Sequence, residues 1–166
     1  MQSSVIAVGT PQSFRTSLAR ALEVEPEDIG WVQSVTAAEE VMVESHEPVD
    51  VLVLSPEVKD PDALGLAEFV GRTAPMTAII AVRDKSWNGL LPAAMRAGIR
   101  DVVDLSQGSE ELRDAVERAI TWVDNVRHQR GLAQNGQSQR GTVISVFSSK
   151  GGAGKTFLTT NLAVAI

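Results

Sequence analysis

A glycine-rich stretch near the end of the chain has the residue types of a phosphate-binding loop. Residues 149–156 read SKGGAGKT, between an apolar run, TVISVF, and a run of helical character, TFLTTNLAVAI. Small residues let backbone N–H groups converge on phosphate oxygens, and the helix that follows directs its positive N-terminus at the anion. Lys155 is placed to neutralise the β- and γ-phosphates, and the Thr156 hydroxyl to ligate Mg²⁺. This combination predicts a nucleotide-binding site.

The loop departs from the common G-x-x-x-x-G-K-[ST] pattern, because Ser149 stands where the first glycine belongs. What remains resembles the deviant Walker A motif, K-G-G-x-G-K-[ST], of the ParA/MinD-like ATPases. The resemblance implies ATP and Mg²⁺ as cofactors, with Thr156 as the metal ligand and Lys150 reaching the nucleotide of a dimer partner. The candidate cofactor-binding residues are Lys150, Gly151, Gly152, Ala153, Gly154, Lys155 and Thr156.

ATPases of this family place their catalytic aspartates on strands well after the loop, whereas the sequence ends at Ile166. We therefore expect residues 141–166 to be the N-terminal fragment of such a domain. On this expectation the chain has no catalytic residue of its own, binds no cofactor by itself and hydrolyses no ATP. The complete protein would bind ATP with Mg²⁺.

Upstream of the loop, short apolar runs alternate with amphipathic runs. SVIAVG, GWVQSV, VDVLVLS, TAIIAV and RDVVDL have the composition of buried strands, and each is followed by a run of helical period. Five strand-helix units in about 125 residues predict an α/β domain whose parallel sheet is covered by helices on both faces. A capping box at Thr36 and Glu39 predicts the start of the second helix, and Gly98 predicts the end of the fourth.

These five units resemble the receiver domain of two-component response regulators. The best-matching stretches are PVDVLVLSPEV, for the third strand, and AAMRAGIRDVVDLS, for the fourth helix and the fifth strand. The resemblance implies a flavodoxin-like (βα)5 fold over residues 1–128, with a parallel sheet in the order 2-1-3-4-5. Residues 129–140 have few large apolar side chains, which predicts a flexible linker before the ATPase fragment.

The residues that carry receiver chemistry are absent from the matching positions. The family implies an acceptor aspartate at the end of strand 3, an acidic pair after strand 1 for Mg²⁺, a Ser or Thr after strand 4 and a Lys after strand 5. This sequence has Ser55 at the acceptor position, GTPQS after strand 1, Val82 and Arg83 at strand 4, and Asp104 or Leu105 at strand 5. We therefore predict a pseudo-receiver in which Ser55 is a degenerate acceptor; phosphorylation of Ser55 itself is the less favoured alternative.

Charge is distributed unevenly along the chain. Residues 1–125 contain all 21 acidic residues but only 10 of the 15 basic ones, a net charge of −11, whereas residues 126–166 carry five basic residues and no acid. Because an acidic domain repels nucleic acid, we predict no nucleic-acid partner. No apolar run reaches the ~20 residues of a membrane span, and the first residues lack the pattern of a secretion signal. These features predict a cytoplasmic protein without direct membrane insertion.

The fifth predicted helix has a wider apolar arc than one buried face requires. A second stripe lies beside the stripe that should cover the sheet, and we predict that it forms a homodimer interface with Trp122 near its centre. Packing of Trp122 on the ATPase domain, or at the rim of its own core, is the alternative. The sheet-facing stripe is Leu112, Val116, Ala119, Ile120 and Val123, and the second is Ala115, Trp122 and Val126.

An atypical receiver followed by a deviant Walker A motif resembles the TadZ/CpaE group of pilus assembly proteins. The resemblance implies a non-phosphorylatable module for localisation and self-association, joined to an ATPase that positions the tight-adherence (Flp) pilus. It also implies recruitment to the cell pole or the inner-membrane machinery, with other pilus assembly or polar localisation proteins as partners. Three alternatives stay open: a septum-site or partition factor of the same architecture, a phosphorelay receiver, and a flavodoxin-like cofactor binder with GTPQS as its phosphate loop.

Overall fold

The computed structural model describes residues 4–45, 47–84 and 91–135 of the chain. Strands and helices alternate along these residues, with short 3₁₀ turns at Pro26–Asp28 and Leu105–Gln107. The described residues up to Arg130 belong to one compact unit. The strands are β1 (Val5–Val8), β2 (Gly30–Val32), β3 (Val51–Leu54), β4 (Ala78–Arg83) and β5 (Asp101–Asp104). The helices are α1 (Ser13–Leu22), α2 (Val35–Glu44), α3 (Asp60–Thr73), α4 (Leu91–Ala97) and α5 (Ser109–Asn135).

The five strands form one parallel sheet in the order β2-β1-β3-β4-β5. β1 pairs with β3 along its whole length, from Val5 opposite Val51 to Val8 opposite Leu54. The chain passes from β1 outward to β2 and then returns to β3 on the other side of β1, so the strand order reverses between β1 and β3. The predicted flavodoxin-like α/β class and the strand order 2-1-3-4-5 are confirmed.

Both faces of the sheet are buried, which explains the continuous apolar runs of its strands. Alternate residues of a strand point to opposite faces. Val51 and Val53 of β3 pack in one core layer with α1 and α5, whereas Leu52 and Leu54 pack in the other layer with α2, α3 and α4. Polar side chains that could act on a ligand are therefore expected at the strand ends.

The second helix begins earlier than its sequence pattern predicts. Its N-cap is Ser34, whose Oγ accepts a hydrogen bond from the Ala37 N–H at 3.1 Å. The predicted cap at Thr36 is wrong, because Thr36 already lies within the helix while Ser34 has the extended backbone that an N-cap requires. At the end of α4, Gly98 adopts a φ of 102°, as expected of the residue that terminates a helix.

Helix α5 is longer than its sequence pattern predicts. It continues to Asn135, so residues 129–135, the first part of the predicted linker, are helical. The run QRGLAQN contains good helix formers, and a single glycine costs a helix only about 1 kcal/mol. Residues 136–140 and the predicted ATPase fragment, residues 141–166, lie outside the described residues, so the division into domains stays a prediction. None of the helices in the described ranges is long and apolar enough to cross a membrane.

A buried ion pair holds the later part of α5 at the amino-terminal end of the sheet. Asp50 directly precedes β3 and is buried. Its Oδ2 accepts a hydrogen bond from the Ser4 N–H at 2.9 Å, and its Oδ1 pairs with the Arg127 guanidinium. The Asp50 carbonyl accepts a further hydrogen bond, at 2.8 Å, from the Ala78 N–H at the start of β4. Asp50 therefore joins the N-terminal segment, β3, β4 and α5.

Replacement of Arg127 by Met should lower the free energy of unfolding by about 3 kcal/mol, because the Asp50 carboxylate would stay buried without its cation. The matched control is Arg118→Met. Arg118 pairs with Asp101 at 2.6 Å near the surface, where an ion pair contributes at most about 1 kcal/mol. Urea denaturation of both variants measures the difference, and equal losses would contradict the role assigned to the buried pair.

Candidate functional site

The candidate site lies at the carboxyl ends of β1, β3 and β4, where Gly9, Ser55 and Arg83 come together. Gly9 follows β1 with a φ of 108°, a conformation that residues with side chains rarely adopt. A Cβ atom at Gly9 would lie 2.4 Å from the Ser55 Oγ and 2.9 Å from the Val58 Cγ2. The backbone of the loop after β1 therefore packs directly on the Ser55 side chain.

Two hydrogen bonds to β2 hold this loop in place. The Gly9 N–H donates to the Val32 carbonyl at 2.9 Å, and the Trp31 Nε1–H donates to the Gly9 carbonyl at 2.9 Å. Trp31 also packs partly buried against the core. Since both backbone polar groups of Gly9 are paired, the loop cannot move away from Ser55 without losing these bonds.

Ser55, the predicted degenerate acceptor, is completely buried. Its N–H donates to the Val8 carbonyl at 2.9 Å, and its hydroxyl donates a long hydrogen bond of 3.4 Å to the Thr10 carbonyl. Phosphorylation would attach a strongly charged group with three acceptor oxygens to this hydroxyl. The close approach of Gly9 leaves no room for that group, so the geometry favours a packing role for Ser55 over phosphorylation.

Arg83, the last residue of β4, is buried and fills the space beside Ser55. Its Nη1 donates to the Val82 carbonyl at 2.8 Å and, at 3.5 Å, to the Ser55 carbonyl. Its Nε and Nη2 both lie 3.3 Å from Oδ1 of Asp60, in the first turn of α3. Burial lowers the pKa of Arg83, and the Asp60 carboxylate opposes that shift. The guanidinium thus links the ends of β3 and β4 to the start of α3.

At the end of β5, Asp104 acts as a turn-capping residue. Its Oδ1 accepts a hydrogen bond from the Ser106 N–H at 2.9 Å, at the start of the 3₁₀ turn. Hydrogen bonding from Ser106 lowers the pKa of Asp104, which stabilises the ionised carboxylate. Neither Asp104 nor Leu105 supplies the cation with which a receiver holds a phosphoryl oxygen at this position.

The residues at this end of the sheet do not fit the Mg²⁺ ion that receiver chemistry needs. Within residues 4–45, 47–84 and 91–135, no group of three or more His, Cys, Asp or Glu side chains could hold a metal ion. The carboxylate of Asp60 is paired with Arg83, and the loop after β1 consists of Gly9, Thr10 and Pro11 rather than acids. Among the described residues, the site thus shows neither the acceptor carboxylate on β3 nor the metal cage that phosphoryl transfer in a receiver uses.

A cleft of about 390 Å³ opens next to this site, among the loops that follow β1, β2 and β3. Its walls include three carboxylates, those of Glu39, Glu57 and Asp62, against the single cation of Lys59 among the described residues that line it. Such a lining repels an anion. The flavodoxin-like alternative needs a phosphate beside the GTPQS loop, and this charge balance counts against it.

The predicted second stripe of α5 does not form one accessible face. Ala115 is 1% exposed and packs in the core layer with α1, so its assignment to an interface is corrected: it is a core residue. Trp122 and Val126 are partly buried, and Trp122 packs against the same core layer. The Arg100 guanidinium lies 4.1 Å above the centre of the Trp122 ring. Of the stripe, Trp122 and Val126 keep surface that a partner can reach.

The sequence pattern did not predict the Arg83–Asp60 pair. Two features of the sequence are consistent with this pair: a basic residue ends the otherwise apolar run TAIIAVR, and an acid begins the helix that follows β3.

The structure does not test the predicted cofactor-binding loop. Residues 150–156 lie outside the part of the chain that the structure describes, so their role stays a prediction.

Replacement of Gly9 by Ala should destabilise the domain by about 2 kcal/mol or more, because the new Cβ meets Ser55 and Val58 at a backbone angle that favours glycine. Gly65→Ala is the control: Gly65 lies in α3 with open space around it, and alanine should stabilise that helix by about 0.5–1 kcal/mol. Thermal and urea unfolding measure both changes. A tolerated Gly9→Ala would contradict the tight packing on Ser55.

Comparison with known proteins identifies the fold. No protein-family model and no curated protein matches the sequence. The signal receiver domain of an HD domain-containing protein from Pseudomonas fluorescens Pf-5 is 17% identical, with a TM-score of 0.65 over 76% of this chain and 93% of that one. A response regulator from Thermotoga maritima is 16% identical, with a TM-score of 0.62 over 73% of this chain and 99% of its own. The beryllofluoride-activated NtrC4 receiver domain dimer is 20% identical, with a TM-score of 0.59 over 74% and 99% of the two chains. At these identities the likeness establishes that the described domain has the receiver fold of response regulators.

Proposed function

We propose that the chain is a receiver-like module that takes up no phosphate and that supports the self-association and localisation of a ParA/MinD-like ATPase. The observation that carries this proposal is the closed site at the carboxyl end of the sheet. There the Arg83–Asp60 pair and the buried Ser55 stand where an acceptor carboxylate and its metal would have to be. A fold that retains its architecture without its reactive groups is suited to binding rather than to phosphoryl transfer.

The proposed ATPase activity belongs to the domain that residues 141–166 open, and it is supported by sequence alone. Lys155 would neutralise the β- and γ-phosphates of ATP, and Thr156 would ligate Mg²⁺. Lys150 would reach the nucleotide of a second subunit, as the deviant Walker A pattern implies. ATP and Mg²⁺ are therefore assigned to the complete ATPase domain and not to the receiver-like domain.

For the cellular role, we propose positioning of the tight-adherence (Flp) pilus machine. The support is the order of the two modules, an atypical receiver before a deviant Walker A loop, which resembles the TadZ/CpaE group. On this proposal the module acts in the cytoplasm, at the cell pole or the inner-membrane machinery, with pilus assembly or polar localisation proteins as partners. The acidic charge of residues 1–125 favours this role over that of a chromosome-partition factor, because it disfavours contact with DNA.

Incubation with acetyl phosphate and Mg²⁺ should leave the chain unphosphorylated by intact mass spectrometry, because the site has no carboxylate acceptor and no metal ligands. Ser55→Asp should remain unphosphorylated as well, since the loop after β1 still lacks the acids that bind Mg²⁺.

Two serine variants control for stray modification. Ser55 is buried and Ser106 is exposed. Stray phosphorylation of surface serines would therefore persist in Ser55→Ala, and stray phosphorylation of Ser106 would be lost in Ser106→Ala. Stoichiometric phosphorylation of the wild-type chain that Ser55→Ala abolishes would overturn the proposed function.

Self-association should depend on Trp122, and Trp122→Ala should weaken it by about 2 kcal/mol or more. Trp122 also contacts the core, so Met95→Ser provides a second test: Met95 lines the same groove but is 56% exposed. Val43→Ser, at an exposed position on α2, is the matched control. Sedimentation equilibrium measures the dissociation constant of self-association. Equal dissociation constants for all three variants, or a wild-type chain that is monomeric at high concentration, would rule this interface out.

A further inference from the structure

A groove of about 530 Å³ lies at the β5 edge of the sheet, near the amino-terminal ends of β4 and β5. Met95 of α4, Trp122 of α5 and apolar residues of α3 line it; we call it the β5-edge groove. Met95 is 56% exposed, and Leu91, one turn earlier on α4, is 44% exposed. Accessible apolar side chains next to a concave surface are typical of a protein contact.

Arg100 is the polar anchor of the β5-edge groove. Its guanidinium lies over the Trp122 ring, and this cation–π contact favours that orientation of the side chain. Within the described ranges, no carboxylate lies at ion-pair distance from Arg100, whereas Arg118, also in the groove, is paired with Asp101 at 2.6 Å. An oriented guanidinium with donors to spare fits a carboxylate supplied by a partner.

The opposite edge of the sheet carries the complementary chemistry. Between α1 and β2, the exposed residues Val24, Glu25, Glu27 and Asp28 form an acidic segment around one apolar side chain. The acidic segment therefore combines what the β5-edge groove can bind, carboxylates for a guanidinium and a small apolar group for an apolar surface.

We propose that the acidic segment of a second copy of this chain docks in the β5-edge groove. Val24 lies against the apolar surface beside Met95 and Trp122, and the carboxylate of Glu25 or Glu27 pairs with Arg100. This inference rests on the proposed self-association and specifies which surfaces make it.

Because the two surfaces differ and lie at opposite edges of the sheet, each single contact is head-to-tail. The acidic segment lies at the β2 edge and the groove at the β5 edge, both at the amino-terminal end of the sheet. After one contact, each pair of copies keeps one free groove and one free acidic segment. Such a contact repeats until the assembly closes into a ring, or it continues as an open chain. Clustering of this kind would suit a module that marks a place in the cell.

Charge reversal on each surface tests the direction of the contact. Arg100→Glu removes the anchor of the groove, and the double variant Glu25→Lys with Glu27→Lys removes the acidic partner. Each variant alone should associate at least tenfold more weakly than the wild type. An equimolar mixture should form a 1:1 complex, because the intact acidic segment of the Arg100→Glu chain still fits the intact groove of the double variant. Sedimentation velocity with one variant labelled measures the complex.

Controls carry the same charge changes elsewhere: Lys59→Glu for the groove variant, and Glu40→Lys with Glu44→Lys for the acidic one. Both controls should associate like the wild type, and circular dichroism verifies that every variant is folded. If Arg100→Glu abolishes association while the acidic-segment variant associates normally, self-association holds but the proposed occupant is wrong. A mixture that stays monomeric also overturns the head-to-tail contact. A wild-type chain that is monomeric at every concentration overturns the proposed self-association itself.

Discussion

The buried guanidinium of Arg83 is the contact on which the carboxyl end of the sheet depends. It is held by Asp60 and by the carbonyl oxygens of Val82 and Ser55. A cation tolerates burial only where a carboxylate and carbonyl oxygens replace its lost water. Since these partners come from the chain itself, the charge balance of the site requires neither a metal nor a phosphoryl group. The ends of β3 and β4 and the start of α3 are thereby joined in one arrangement.

Whereas Ser55 and Arg83 are buried at the carboxyl end of the sheet, the opposite end presents an accessible groove. There Asp50 anchors α5 through Arg127, and Arg100 stacks on Trp122 beside an open groove. These groups make ion pairs and a cation–π contact that hold α5 and orient Arg100. The domain thus combines a groove at one end of the sheet with the buried Arg83–Asp60 pair at the other, and the proposed function rests on this arrangement.

The fold could be predicted from the sequence because each strand is a short apolar run between helical runs, and a sheet buried on both faces requires that pattern. For the candidate site, the sequence predicts only that the acceptor aspartate and the metal-binding acids of a receiver are missing from the matching positions. The Arg83–Asp60 pair joins residues 23 positions apart, and no periodicity encodes that contact. Helical period places Ala115 beside Trp122 and so predicts a surface position, whereas its burial depends on packing with α1. The sequence does not identify the N-cap of α2 either, because Ser34 and Thr36 have equivalent hydroxyls and only the backbone distinguishes them.

The closed site is the central claim of this account, and titration of the ¹⁵N-labelled chain with beryllofluoride and Mg²⁺, followed by NMR, tests it most directly. Beryllofluoride mimics a phosphoryl group, and binding at the carboxyl end of the sheet would have to displace the contacts among Gly9, Ser55 and Arg83. The account predicts that the amide resonances of these three residues show no saturable shift. Saturable shifts at these amides that require Mg²⁺ would contradict it, because they would show that the site still accepts a phosphoryl group and its metal.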